Sequence, residues 1–160
     1  MTPRLARITT ILSAAVLAAA LVANAQSKDP FLGTWKLNVA KSKYSPGPTP
    51  KNITSIYEAA GQGYKVSVTN ESPSGTVKYG YTTNLDGKDS PLTGNNPNAD
   101  TITVKRVDPQ TLESVSKKGG KVTITQRNVL SADGKTRTVT TTGTDAQGQK
   151  VNNVAVFERQ

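Results

Sequence analysis

From Phe31 onward the chain alternates apolar and polar positions in short runs. In Phe31-Leu32-Gly33-Thr34-Trp35-Lys36-Leu37, residues Phe31, Gly33, Trp35 and Leu37 fall on one face of an extended segment, and Leu32, Thr34 and Lys36 on the other. The same two-residue period runs through 53–58, 64–69, 76–83, 101–107, 111–116, 122–129, 137–142 and 151–158, all rich in Val, Thr, Tyr or Ile. Turn residues separate them: Gly61-Gln62-Gly63, Pro73-Ser74-Gly75, Gly94-Asn95-Asn96-Pro97-Asn98, Asp108-Pro109, Gly119-Gly120, Asp133-Gly134 and Asp145-Ala146-Gln147-Gly148. Leu85-Asp86-Gly87-Lys88 reads as one more hairpin turn, in the Asp-Gly style that suits positive φ. The pattern predicts an all-β domain of about eight to ten strands. Uniformly short connections favour a single up-and-down antiparallel β-barrel, and closure removes the edges that an open threonine-rich sheet would expose. Trp35, the only tryptophan, is expected to plug one end, with Gly33 leaving room where strand and indole crowd together.

Two segments break the alternation. Ser45-Pro46-Gly47-Pro48-Thr49-Pro50 is too rich in proline for ladder pairing and reads as a stiff lid, or a strap across the barrel end. Residues 1–25 place Arg4 and Arg7 ahead of an apolar run over 8–22 and close on Ala23-Asn24-Ala25. That is the layout of a secretory signal peptide cleaved after Ala25, and the run is shorter than the ~20 residues a membrane span needs. The expected organisation is a signal peptide over 1–25 and one barrel domain over 26–160, secreted or periplasmic in a bacterium, with no transmembrane segment after cleavage.

Composition narrows the chemistry. Apolar residues make up 34% of the chain and the leader holds a disproportionate share, so the barrel's core is thin or surrounds a cavity. Cysteine and histidine are both absent. That removes disulfides, the usual zinc ligands and the nucleophile arrangements that depend on His. The carboxylates Asp86, Asp89, Asp100, Asp108, Asp133 and Asp145 all fall in or beside turns, where Asp bonds its own backbone. No enzyme activity, metal or cofactor is expected. The net charge is +9, or +7 without Arg4 and Arg7. The lysines are scattered, and the nearest cluster, Lys117, Lys118 and Lys121, brackets the Gly119-Gly120 hairpin tip. Nucleic-acid binders interleave aromatics with basic residues on one face; this chain does not, so nucleic acid is not an expected partner.

Strand parity suggests what would line a cavity. Tyr64 shares a face with Val66 and Val68, Tyr79 and Tyr81 with Val77, Arg106 with Ile102 and Val104, and Arg137 with Val139. An apolar stripe with a few polar tips suits a small-molecule pocket, and inward arginines suit an anionic group. Tyr64, Tyr79, Tyr81, Arg106 and Arg137 are therefore the candidate ligand-binding residues. The bland alternative has the tyrosines filling the core and the arginines emerging into water near strand ends.

The segment 31–37 resembles the opening strand of the calycin group, the lipocalins and intracellular fatty-acid-binding proteins, which carry a Gly-x-Trp motif near the mature N-terminus. Val154-Ala155-Val156-Phe157-Glu158-Arg159 resembles the last strand of the fatty-acid-binding proteins. With Gly-Thr-Trp-Lys-Leu-Asn, Lys-Ser-Lys-Tyr-Ser-Pro-Gly-Pro and Gly-Asn-Asn-Pro-Asn-Ala-Asp, the whole of 26–160 is similar to short secreted bacterial lipocalin-like proteins. The resemblance implies a calycin-type barrel with Gly33, Trp35 and Phe157 as its structural motif. It also marks two departures. Where fatty-acid-binding proteins hold the ligand carboxylate with an Arg-x-Tyr pair, this chain has Ala155 and Phe157, and the helical lid is replaced by the proline-rich 45–50. The expected function is the binding or carriage of a small lipophilic or anionic ligand. The alternative is an envelope-associated structural or protein-interaction module with a solid core and a basic surface, and cavity volume separates the two.

Overall fold

The computed structural model describes residues 29–160; the expected signal peptide lies outside the described residues. Eleven strands form one sheet: β1 (Gly33–Leu37), β2 (Asn52–Ala60), β3 (Gly63–Ser72), β4 (Gly75–Thr83), β5 (Asp86–Pro91), β6 (Thr93–Gly94), β7 (Thr101–Asp108), β8 (Thr111–Lys118), β9 (Lys121–Leu130), β10 (Thr136–Thr144) and β11 (Lys150–Arg159). The spatial order is β5-β7-β8-β9-β10-β11-β1-β2-β3-β4-β6, and every pairing is antiparallel. Apart from the short β5 and β6, each strand pairs with its neighbours in sequence, and β1 joins β11 to bring the two halves round. The result is the expected all-β, up-and-down barrel, nearly closed.

Closure is incomplete at one seam. β4 and β5 follow each other in the chain, yet β5 pairs with β7, and β4 pairs only through Tyr79–Gly94 and Gly80–Thr93 with the two-residue β6. Here the Asp-Gly expectation needs correcting. The turn lies earlier, at Asn84 and Leu85, where Leu85 takes a positive φ of 63° and its N–H bonds Thr83 Oγ1 at 3.2 Å. Asp86-Gly87 instead forms a bulge inside β5. Asp86 Oδ1 accepts the Lys88 N–H at 3.1 Å, and the register slips between Asp86 and Asp89. The local preference for a tight bend is met, but within a strand.

The end that carries β1's first residues is filled. Trp35 and Phe31 are fully buried, and the indole N–H donates to Phe31 O at 2.9 Å. Arg159 lies over the indole, 4.3 Å from its centroid, and donates to the carbonyls of Leu32 (2.5 Å), Gly134 (2.9 Å) and Pro30. Gly33 sits beneath this guanidinium at φ +122°, and a Cβ there would stand 2.9 Å from Arg159 Nη1. Leu112, Leu130 and Val104 complete the packed end, and Phe157 closes it toward the interior above.

The stretch leading into the proline-rich segment is part of the wall, and residues 46–50 belong to no strand. β1 stops at Leu37, a single 3-10 turn follows at Val39–Lys41, and the chain then runs along the upper part of β11. Lys43 bridges Val154, the Asn152 N–H donates to Ser45 O at 2.7 Å, and the Ser45 N–H donates to Asn153 Oδ1 at 2.9 Å. It occupies the place that a longer β1 would fill.

Candidate functional site

Above the Trp35 end the barrel encloses a cavity of about 280 Å³, near the lower limit of small-molecule sites at roughly 300–1,000 Å³. Tyr57, Phe157 and Arg137 form its floor. Ile53, Val68, Tyr79, Tyr81, Ile102, Ile124, Gln126, Val139 and Ala155 form its sides. Asn96, Asn98, Asp145 and Asn153 stand toward the mouth. The wall is alternating inward positions of the strands, so the parity that buries Val139 also turns Arg137 inside.

Arg137 is 3% exposed and has no carboxylate partner. Its hydrogen bonds go to neutral oxygens: Nη1 donates to Tyr57 Oη at 2.7 Å and Asn128 Oδ1 at 3.2 Å, and Nη2 to Ser55 Oγ at 2.6 Å. Nε is buried without a partner. Three rings surround the guanidinium carbon, Phe157 at 4.5 Å, Tyr57 at 4.9 Å and Trp35 at 5.4 Å. Aromatic faces and neutral acceptors soften the desolvation of a cation but do not neutralise it. Arg137 also stands opposite Phe157 in the β10–β11 ladder. A cation thus reaches this level of the cavity from β10, although Ala155 and Phe157 on β11 supply none.

The candidate residues divide into two groups. Arg137, Tyr79 and Tyr81 line the cavity. Burial pushes the Tyr79 phenol up to about 12, raises the Tyr81 phenol well above its ordinary value, and pushes Tyr44 at the cavity edge up to about 12. All three are neutral hydroxyls at physiological pH. Tyr64 and Arg106 lie apart, at the plugged end. Arg106 Nη2 pairs with Asp29 at 2.5 Å and donates to Tyr64 Oη, while its guanidinium carbon sits 5.6 Å from the rings of both Phe31 and Tyr64. Burial, foremost, and the Asp29 carboxylate raise the Tyr64 phenol. Parity placed Arg106 and Tyr64 on the inner face correctly, but their height along the strands puts them below the cavity floor, where they fasten Asp29 to β7. The bland alternative of arginines emerging into water fails at Arg137 and holds in part at Arg106, whose side chain is 27% exposed.

Residues that the candidate set missed include Ser55, Tyr57 and Asn128, which hold Arg137, and Asn70 on the wall. The same parity carries them: Ser55 and Tyr57 share a face with Ile53, Asn128 with Ile124, and Asn70 with Val68. The turn aspartates behave as their positions suggest. Asp86, Asp108, Asp133 and Asp145 each accept a backbone N–H two residues on, at 2.8–3.1 Å. Among the described residues, no three His, Cys, Asp or Glu side chains come together as metal ligands, and no helix is long and apolar enough to cross a membrane.

A nearly closed antiparallel meander stoppered by an indole, with a cavity above it, makes this chain an up-and-down β-barrel with an internal site. Among solved structures the chain is similar to a zebrafish ileal bile acid-binding protein complexed with cholic acid, at 15% identity over 82% of this chain and 99% of that one, with a TM-score of 0.49. At that identity, what the zebrafish protein binds says nothing of what this one binds. No protein-family model matches the chain, and no curated protein matches it.

Proposed function

We propose that this protein is a non-catalytic barrel that binds a small organic anion, with the acidic group seated on Arg137. One observation carries the reading: a buried guanidinium faces an internal cavity with only neutral oxygens around it. A cation desolvated to that degree without a counter-charge is costly, and an entering carboxylate or phosphate would meet it with charge-assisted hydrogen bonds. The cavity also weighs against the solid-core envelope module. Export is part of the same proposal and rests on the layout of residues 1–25, with the absence of cysteine consistent with a domain that needs no oxidative stapling.

The test is native mass spectrometry of the protein purified from its own host, with the released ligand read in negative-ion mode. A bound acid is expected in the wild type and absent from Arg137→Met, while Arg137→Lys retains part of it. A neutral or cationic passenger, or an acid retained in full by Arg137→Met, would overturn the reading.

A further inference from the structure

The polar groups of the cavity wall do not suit a hydrocarbon tail. Near the mouth, Asn96 Oδ1 accepts the Asn98 N–H at 2.9 Å, Asn98 Oδ1 accepts the Ala146 N–H at 3.0 Å, and Asn153 Oδ1 accepts the Ser45 N–H at 2.9 Å. A backbone N–H can be met only by the amide oxygen, so each carboxamide has a fixed orientation and its Nδ2 hydrogens are left over. No partner for these three Nδ2 groups occurs among the described residues. Asp145, the one carboxylate on the lining, stands at the mouth and takes the Gln147 and Gln149 N–H groups at 3.0 and 2.8 Å on Oδ1 alone, so its Oδ2 is an acceptor that a ligand hydroxyl can also meet. Midway, the Tyr79 hydroxyl keeps its proton with no partner for it among the described residues, while the Tyr81 hydroxyl keeps its own against Tyr57. Asn70 adds a buried Oδ1 without a partner, one inward step above the Ser55–Val68 level at which Arg137 is held, or about 7 Å along the strand. The lining is thus richer in unused donors than in acceptors, with a cation at its floor.

Filling such a space with methylenes would strand those donors and the Asn70 oxygen away from water. Hydroxyl groups satisfy both, because each donates one hydrogen bond and accepts two. We infer that the ligand class is a compact polyhydroxylated acid, of the size and kind of a sugar acid: its carboxylate on Arg137 and its hydroxyls on the carboxamides and tyrosines. The inference rests on the Arg137 reading for its acidic end and on the wall alone for the rest.

Calorimetric titration of the purified protein with three probes separates the two. D-glucuronate carries both features, D-glucose the hydroxyls only and octanoate the acid only. Glucuronate is expected to bind at least about 10-fold tighter than octanoate, since a site built for hydroxyls rejects an analogue lacking them. Asn70→Leu should weaken glucuronate by roughly 10-fold and leave octanoate equal or tighter. The Asn70 side chain makes no hydrogen bond to the described residues, so this change spares the scaffold. Octanoate binding as tightly as glucuronate in the wild type, or a glucuronate affinity untouched in a folded Asn70→Leu protein, overturns the inference while the anion reading stands. Glucose binding as tightly as glucuronate overturns the anion reading and leaves the hydroxylated wall in place. Uptake of none of the three overturns the sugar-acid assignment.

Discussion

At the scale of single residues, Arg137 and Gly33 show opposite relations between stability and role. The Arg137 guanidinium is held by Tyr57, Asn128 and Ser55 without any opposite charge. Arg137→Met removes a buried charge that has no counter-ion, but it also leaves the Tyr57, Asn128 and Ser55 oxygens without their donor. The two effects oppose each other, and methionine is pliant enough to fill the space, so the unfolding free energy of the empty protein is expected to change by no more than about 1 kcal/mol in a denaturant titration followed by Trp35 fluorescence. A loss of several kcal/mol would mean that the cation serves the fold. Gly33 has no such freedom. Its φ of +122° is a conformation that L side chains rarely adopt, and a Cβ would press on Arg159 Nη1 at 2.9 Å. Gly33→Ala should cost about 2 kcal/mol or more, with the indole emission shifting as Arg159 is displaced. An unchanged denaturation midpoint would contradict this. The inward face of Arg137 was legible from its spacing to Val139. Its burial was not, because parity fixes a side chain's face but not its height above the plug. The same gap explains Arg106, which shares a face with Val104 yet ends beside Asp29, a partner 77 positions away that no local pattern reveals.

At the scale of elements, the strands were readable and the seam was not. The β2–β3 and β8–β9 hairpins turn at Gly61-Gln62 and Gly119-Gly120, as turn chemistry dictates. Asp86-Gly87 carries an equally strong local signal, but β7 offered β5 a longer ladder than β4 did, and the bend was absorbed as a bulge. Tertiary pairing outranked local preference there. The seam that results is held by the two-residue β6, by Leu92 on the cavity wall, and by the Leu92 N–H bond to Asp100 O at 2.9 Å. Backbone secured by so few bonds opens locally at low free energy. Hydrogen exchange should therefore be fastest, among strand amides, in β5 and β6, and slowest in β8, β9 and β10, which are paired on both sides along their lengths. Protection of β5 equal to that of β9 would show the seam to be closed in solution.

At the scale of the whole molecule, the tyrosines make the barrel's stability a function of alkaline pH. Five are present, and burial is the first cause of the raised phenols of Tyr44, Tyr64, Tyr79 and Tyr81. The ordinary value is 10.0; Tyr44 and Tyr79 reach about 12, and Tyr64 and Tyr81 are raised well above 10.0. Below pH 10 the folded and unfolded chains both keep these protons, so the contribution to stability is complete. Between about 10 and 12 the unfolded chain releases protons that the folded barrel retains. Each increment of pH then favours unfolding, and the contribution is gone once the folded values are passed. Because three of the four hydroxyls line one cavity and burial is the first cause of each raised value, ionising any of them in place would set a phenolate where the wall disfavours its charge. The barrel should open instead. In an alkaline titration the phenolate absorbance of these tyrosines is expected to rise in a single steep step above pH 10, coincident with loss of the near-ultraviolet circular dichroism of Trp35. A smooth rise centred on the ordinary tyrosine value, with the tryptophan signal intact, would mean that the folded barrel solvates these phenols as well as the unfolded chain does.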